Sequence, residues 1–245
     1  MNNTDFLKKL KNIIPSHITP KFTNQKDLLH WNQKEGKIFS KKIIKKNEKY
    51  KIRNAFLKSG IRELYINCSF QNYKIEHEGH KKAIHLTKKY AKNFDQNNAN
   101  FVFLGRPGTG KNHLATAISN YLILKGKKIL IITIANLMST IKATFKNNNT
   151  KMTEEKFIYY LSNLDLLILD EIGIQTESKY EKIVINQIID RRASSKKPIG
   201  MLSNCNYYTI KKILGERIID RMQLSNSLWL YFNWKSYRNK TSNIS

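Results

Sequence analysis

Between residues 105 and 112 the chain reads Gly105-Arg106-Pro107-Gly108-Thr109-Gly110-Lys111-Asn112, directly after the apolar run Phe101-Val102-Phe103-Leu104 and directly before an apolar helical pattern. Glycines at this spacing let backbone amides converge on one point, and the helix start adds partial positive charge. The lysine that follows can reach terminal phosphates. The chemistry such a loop supports is the binding of a nucleoside triphosphate, ATP, through Gly105, Arg106, Pro107, Gly108, Thr109, Gly110, Lys111, Asn112 and His113. One position departs from the usual pattern. Asn112 stands where Ser or Thr ordinarily ligates Mg2+, and an amide oxygen binds that hard cation less strongly in a tuned site, so slow hydrolysis is expected.

A second group of reactive residues closes another apolar run, Leu166-Leu167-Ile168-Leu169-Asp170-Glu171. An Asp at a strand end beside phosphates holds Mg2+, here together with Asn112, and the Glu after it polarises the attacking water. The pair argues for hydrolysis over binding alone. Ser203-Asn204 ends the next apolar run, where Asn204 could orient water or simply open a turn. In Gly215-Glu216-Arg217-Ile218-Ile219-Asp220-Arg221 two arginines fall four residues apart on one helix face. Supplied by a neighbouring subunit, one of them can neutralise transition-state charge; within its own chain it can equally pair with an Asp and hold the helix. Arg238 is a candidate for a phosphate contact in its own chain. Lys142-Ala143-Thr144-Phe145-Lys146 and Ser178-Lys179-Tyr180 could stack on single-stranded nucleic acid and neutralise its phosphates, or their aromatic rings could belong to the core.

These residues need a frame. After residue 100, short apolar runs alternate with helical patterns, as in a parallel α/β sheet flanked by helices. Strands are expected at Phe101 to Leu104, Lys128 to Thr133, Leu166 to Asp170, Pro198 to Ser203 and Leu228 to Phe232. Helices are expected at Lys111 to Leu124, Ala135 to Phe145, Thr153 to Leu161, Lys179 to Ala193, Tyr207 to Leu214 and Glu216 to Leu224, with His80 to Phe94 leading in. Residues 1 to 60 read as a small all-α domain and 61 to 245 as the ATPase domain. In the first, Asp5 to Ile14 is a short amphipathic piece stopped by Pro15 and Pro20; a longer helix starts at Asp27, is interrupted at Gly36 and ends at Gly60.

The chain of 245 residues carries 44 basic and 18 acidic side chains, a formal charge of +26. Such a surplus attracts polyanions by counterion release, yet only eight of the basic residues are Arg, and abundant Lys, Asn and Ile are also what an AT-rich genome imposes. The rare arginines are therefore the informative cations, and six of the eight fall after residue 100. No apolar run is long enough for a membrane helix, so a cytoplasmic protein without a membrane partner is expected. Cys68 and Cys205 lack metal-ligand spacing and read as packing residues.

With the phosphate loop, acid pair, Ser-Asn and arginine pair in this order, the sequence resembles the bacterial replicative helicase loaders of the DnaC family, which belong to the AAA+ ATPases and have transposase-helper ATPases as relatives. The likeness spans nearly the whole chain. It includes Gly110-Lys111-Asn112-His113, Asp170-Glu171-Ile172-Gly173, Thr176 to Tyr180, Gly215-Glu216-Arg217, Asn226 to Trp229 and the lead-in Asn67 to Phe70. That resemblance implies an N-terminal helical domain that grips the helicase hexamer, with Leu10, Leu28 and Trp31 at matching positions. It also implies single-stranded DNA contacts at Lys142, Phe145, Ser178 and Tyr180, a trans-acting arginine at Arg221, and self-association through the ATPase domains. The alternatives are a transposase-helper ATPase, which would share every motif after residue 100, and a nucleic-acid binder that does not hydrolyse ATP.

Overall fold

The computed structural model describes residues 26, 29–31, 33–34, 36–37, 40, 54–55, 58–146, 153–173, 178–224 and 226–237. The contacts divide the chain into two compact units, Met1–Tyr50 and Lys51–Ser245. In the first unit every described position from 26 to 40 is helical, Trp31 is half-buried, and Leu10, Leu28, Pro15 and Pro20 lie outside the described residues. The interruption expected at Gly36 does not occur. Gly36 is itself helical with open space around it, and an exposed glycine inside a helix costs only about 1 kcal/mol relative to Ala.

The second unit is built on five strands: β1 (Phe101–Gly105), β2 (Ile129–Thr133), β3 (Leu166–Ile172), β4 (Ile199–Ser203) and β5 (Leu228–Phe232). All pairings are parallel and the sheet order is β2-β3-β4-β1-β5. Parallel strands need crossover helices, which cover both faces and make the strands apolar on both sides. The helices are α1 (Glu78–Lys92), α2 (Phe94–Asn97), α3 (Lys111–Leu124), α4 (Ile134–Lys146), α5 (Glu154–Asn163), α6 (Lys179–Ser194), α7 (Tyr207–Leu214) and α8 (Glu216–Gln223).

Strand alternation separates two cores. Phe101 and Phe103 of β1 join Leu166 and Ile168 of β3 against α1 and α3. Val102 and Leu104 join Leu167 and Leu169 on the other face, under α4 to α8. Every expected strand is present, and the helices deviate by one or two residues at their ends. The largest shift is at α1, which starts at Glu78 because the His77 ring accepts the Gly79 amide as its cap.

Among the described residues, a charge sits in the core with backbone carbonyls as its partners. Arg192 is fully buried and donates to Leu161 O at 2.5 Å and Pro198 O at 2.7 Å, tying the end of α5 to the entry of β4; burial lowers its pKa to about 10. Cys68 and Cys205 are free and half-buried. No described helix is long and apolar enough to cross a membrane.

Candidate nucleotide-binding site

The strand order sets the site. With β4 between β1 and β3, the C-terminal ends of these three strands lie side by side, the edge at which open parallel sheets bind ligands. The glycine-rich loop leaves β1, Asp170 and Glu171 end β3, and Ser203-Asn204 ends β4 between them. They surround a cavity of about 740 Å³ lined by Gly108, Gly110, Lys111, Asn112, His113, Asp170, Glu171 and Asn204, and also by Arg62, Tyr73 and Tyr237. That is the size range of small-molecule sites.

The loop is held at several points. Gly105 has φ 140, and a Cβ there would lie 2.2 Å from Phe232 O, so only glycine lets β1 run this close to β5. Thr109 Oγ1 donates to Arg106 O at 2.7 Å. Lys111, 5% exposed, donates from Nζ to Gly105 O at 2.6 Å and Arg106 O at 2.8 Å. The start of α3 has no side-chain cap, which leaves its first amides for an anion. From the far end of the chain, Trp234 Nε1 donates to Thr109 O at 2.8 Å and Tyr237 N to Gly108 O at 2.9 Å. Tyr237 Oη continues to Lys74 O at 2.5 Å, and burial pushes its pKa up to about 12. The ring of Tyr73 meets that of His113 edge-on at 5.2 Å, and His113 Nε2 lies 3.0 Å from Ser69 O.

Asp170 is 6% exposed. Its Oδ2 accepts from Asn112 Nδ2 and its Oδ1 from Glu171 N, both at 2.7 Å. Burial raises its pKa, partly opposed by the Glu171 amide and the Asn112 side chain. Glu171 has φ 61, in the left-handed region, where the pairing of β3 with β4 slips register between Leu169 and Ile172. A non-glycine residue there stores about 1 kcal/mol or more of strain and turns its side chain out of the strand's alternation. The donor set fits Mg2+. A buried carboxylate lies beside an amide whose nitrogen is engaged and whose oxygen remains an acceptor, and all of these donors are hard oxygens.

Arg217 and Arg221 do not line the cavity. Both reach Asp190 on α6, Arg217 Nη2 at 2.7 Å from Oδ2 and Arg221 Nη1 at 2.6 Å from Oδ1, the second without the alignment of a hydrogen bond. The structural alternative for this pair is thus real, with its acid on another helix. Arg238 lies outside the described residues. Lys142 on α4 is exposed, and its charge counters the effect of burial on Glu181 at the start of α6. Within them, Ser178 Oγ caps α6 by accepting from Glu181 N at 3.1 Å, and half-buried Tyr180 donates from Oη to Glu154 Oε1 at 2.9 Å. The side chain of Phe145 is outside the described residues.

Sequence reasoning missed Arg62, Tyr73, Trp234 and Tyr237. Arg62 had a signal, since it is one of the rare arginines, but it precedes residue 100 and sits in no motif. The aromatic residues had none, because their place depends on the two ends of the second unit meeting at the loop.

The model of the IstB-like ATP binding protein family matches residues 46–245. A protein of Buchnera aphidicola subsp. Baizongia pistaciae called replicative helicase loader DnaC is 60% identical over 239 residues, 98% of this chain and 97% of that protein. The protein of the same name in Escherichia coli strain K12 is 51% identical over 241 residues, 98% of each chain. A crystal structure of the DnaC helicase loader superposes with TM-score 0.62 at 21% identity, covering 69% of this chain and 99% of that one, and supports the fold alone. On the family match and on identity over nearly the full length, the chain belongs to the DnaC family of replicative helicase loaders, within the IstB-like ATP-binding proteins.

Proposed function

We propose that the chain binds the hexameric replicative DNA helicase, delivers it onto single-stranded DNA, and uses ATP hydrolysis to time its release, as a cytoplasmic protein. The observation that carries this reading is the 60% identity with a named loader over 98% of the chain. A transposase-helper role would need only the ATPase motifs. The IstB-like family model starts at residue 46, whereas the likeness to the loaders includes the segment before it, where Leu10, Leu28 and Trp31 contact the helicase on this reading.

The loop geometry supports ATP as the ligand. Lys111 exchanges its two carbonyl partners for phosphate oxygens, and the α3 amides with Gly105 to Gly110, Arg106 and His113 complete the cradle. Asp170 and Asn112 hold Mg2+, which when bound neutralises phosphate charge. Glu171 accepts a proton from the attacking water, Asn204 orients that water, and Arg221 of an adjoining copy counters charge in the transition state. Arg238 adds a phosphate contact from the same chain. Lys142, Phe145, Ser178 and Tyr180 carry the DNA strand. ATP acts as a timer because it binds between copies and so favours one arrangement of them over another.

A pull-down of the helicase hexamer tests the assignment. The chain retains the helicase, and Trp31→Ala weakens retention. Full retention after removal of residues 1–60 would sink the loader reading. In parallel, Lys111→Ala abolishes DNA-stimulated ATP turnover, and unchanged turnover in that variant refutes the site.

A further inference from the structure

Glu171, read above as the acceptor for the water proton, already has a partner. Arg62 Nη2 lies 3.3 Å from Glu171 Oε1. A carboxylate oxygen that accepts from a guanidinium offers that lone pair less readily to water, because one electron pair does not serve two donors.

The position of Arg62 is set by the backbone just before it. Ile131 N donates to Ser59 O at 2.7 Å, which seats the fully buried Ser59 on β2, an edge strand of the sheet. Gly60 follows at φ 67, and a Cβ there would lie 2.2 Å from Ile131 O, so the seating tolerates no side chain. A second cavity of about 70 Å³ has Gly60, Ile61 and Arg62 on one side and Asn112 and Asp170 on the other, so this segment forms a wall of the site.

We propose that Arg62 restrains Glu171, and that the seating of residues 59–62 on the edge of β2 sets the restraint. The inference rests on the ATPase reading above. Arg62 is a positioning residue that acts through Glu171. Lifting Ser59 from Ile131 carries Arg62 away and leaves Glu171 free for the water. The two side chains are 55% and 35% exposed, and a pair so open to water biases its geometry by a factor of about five at most. The restraint is therefore a modest setting of turnover.

The test combines steady-state ATPase kinetics of the full chain on single-stranded DNA with hydrogen exchange at the Ile131 amide. Arg62→Ala raises kcat by about two- to fivefold with the KM for ATP unchanged, Arg62→Lys stays near the parent, and Ile131 remains protected in both. Gly60→Ala loses the Ile131 protection and raises kcat equally, and the double variant exceeds neither single one. A kcat unchanged or lowered in Arg62→Ala overturns the restraint. Protection kept in Gly60→Ala, or lost there with parental kcat, overturns the role of the seat. Absence of Lys111-dependent turnover in the parent chain overturns the ATPase reading and this inference with it.

Discussion

Asn112 donates to Asp170 through its amide nitrogen, so the residue that replaces the usual hydroxyl also fixes the carboxylate it serves. Ser or Thr at this position would reach less far, which gives Asn a positional reason beyond weak metal ligation. Asp190 does similar work on the other side of the second unit, holding Arg217 and Arg221 on one carboxylate. Arg217 is 70% exposed and Arg221 26%, so their pairing alone does not decide which one serves a neighbour. Mixing variants decides it. Lys111→Ala and Arg221→Ala are each expected to lower turnover by about a thousandfold, the usual range for a trans-acting arginine. An equal mixture is then expected to regain a measurable fraction, because some interfaces pair an intact loop with an intact arginine. Arg217→Ala is expected to stay within about twofold of the parent, its exposed ion pair being weak. A mixture as inactive as either variant would show that Arg221 acts within its own chain.

At the scale of elements, α6 begins at the N-cap Ser178, and the DNA reading competes there with a structural role. Ser178→Ala removes the cap and is expected to destabilise the protein by about 1 kcal/mol in urea unfolding. Ser178→Asp keeps a capping oxygen and adds a negative charge. It is expected to unfold like the parent yet bind single-stranded DNA at least tenfold more weakly at low salt, whereas parental affinity would remove Ser178 from the interface. The frame itself was legible in the sequence. Apolar runs of four to six residues became β1 to β5 because a strand covered on both faces needs no polar alternation, and the residues ending β1, β3 and β4 marked the candidate site. The Arg62–Glu171 pair was not legible, since 109 residues separate its members and no periodicity links them. The partner of Arg221 was missed for the same reason, because Asp220 is nearer in sequence but Asp190 is nearer in space.

For the whole molecule, the phosphate loop is anchored by chain from both ends of the second unit. Residues near Arg62 and Tyr73 line the cavity on one side, and Trp234 and Tyr237 bond Thr109 and Gly108 on the other. Trp234→Ala removes one tie and a ring packed 4.9 Å from that of Phe232, and is expected to weaken ATP binding by about tenfold in a nucleotide titration, through an amide loop that is less preorganised. Unchanged affinity would mean that β1 and α3 hold the loop unaided. Because β1 pairs with β4 and with β5, its two flanks are completed by residues 199 to 203 and 228 to 232. A ribosome making this chain therefore releases the phosphate loop long before the strand and the aromatic residues that brace it. During synthesis the nascent protein has the signature of a nucleotide binder without its pocket, and ATP can reward folding only once residues 228 to 237 have emerged.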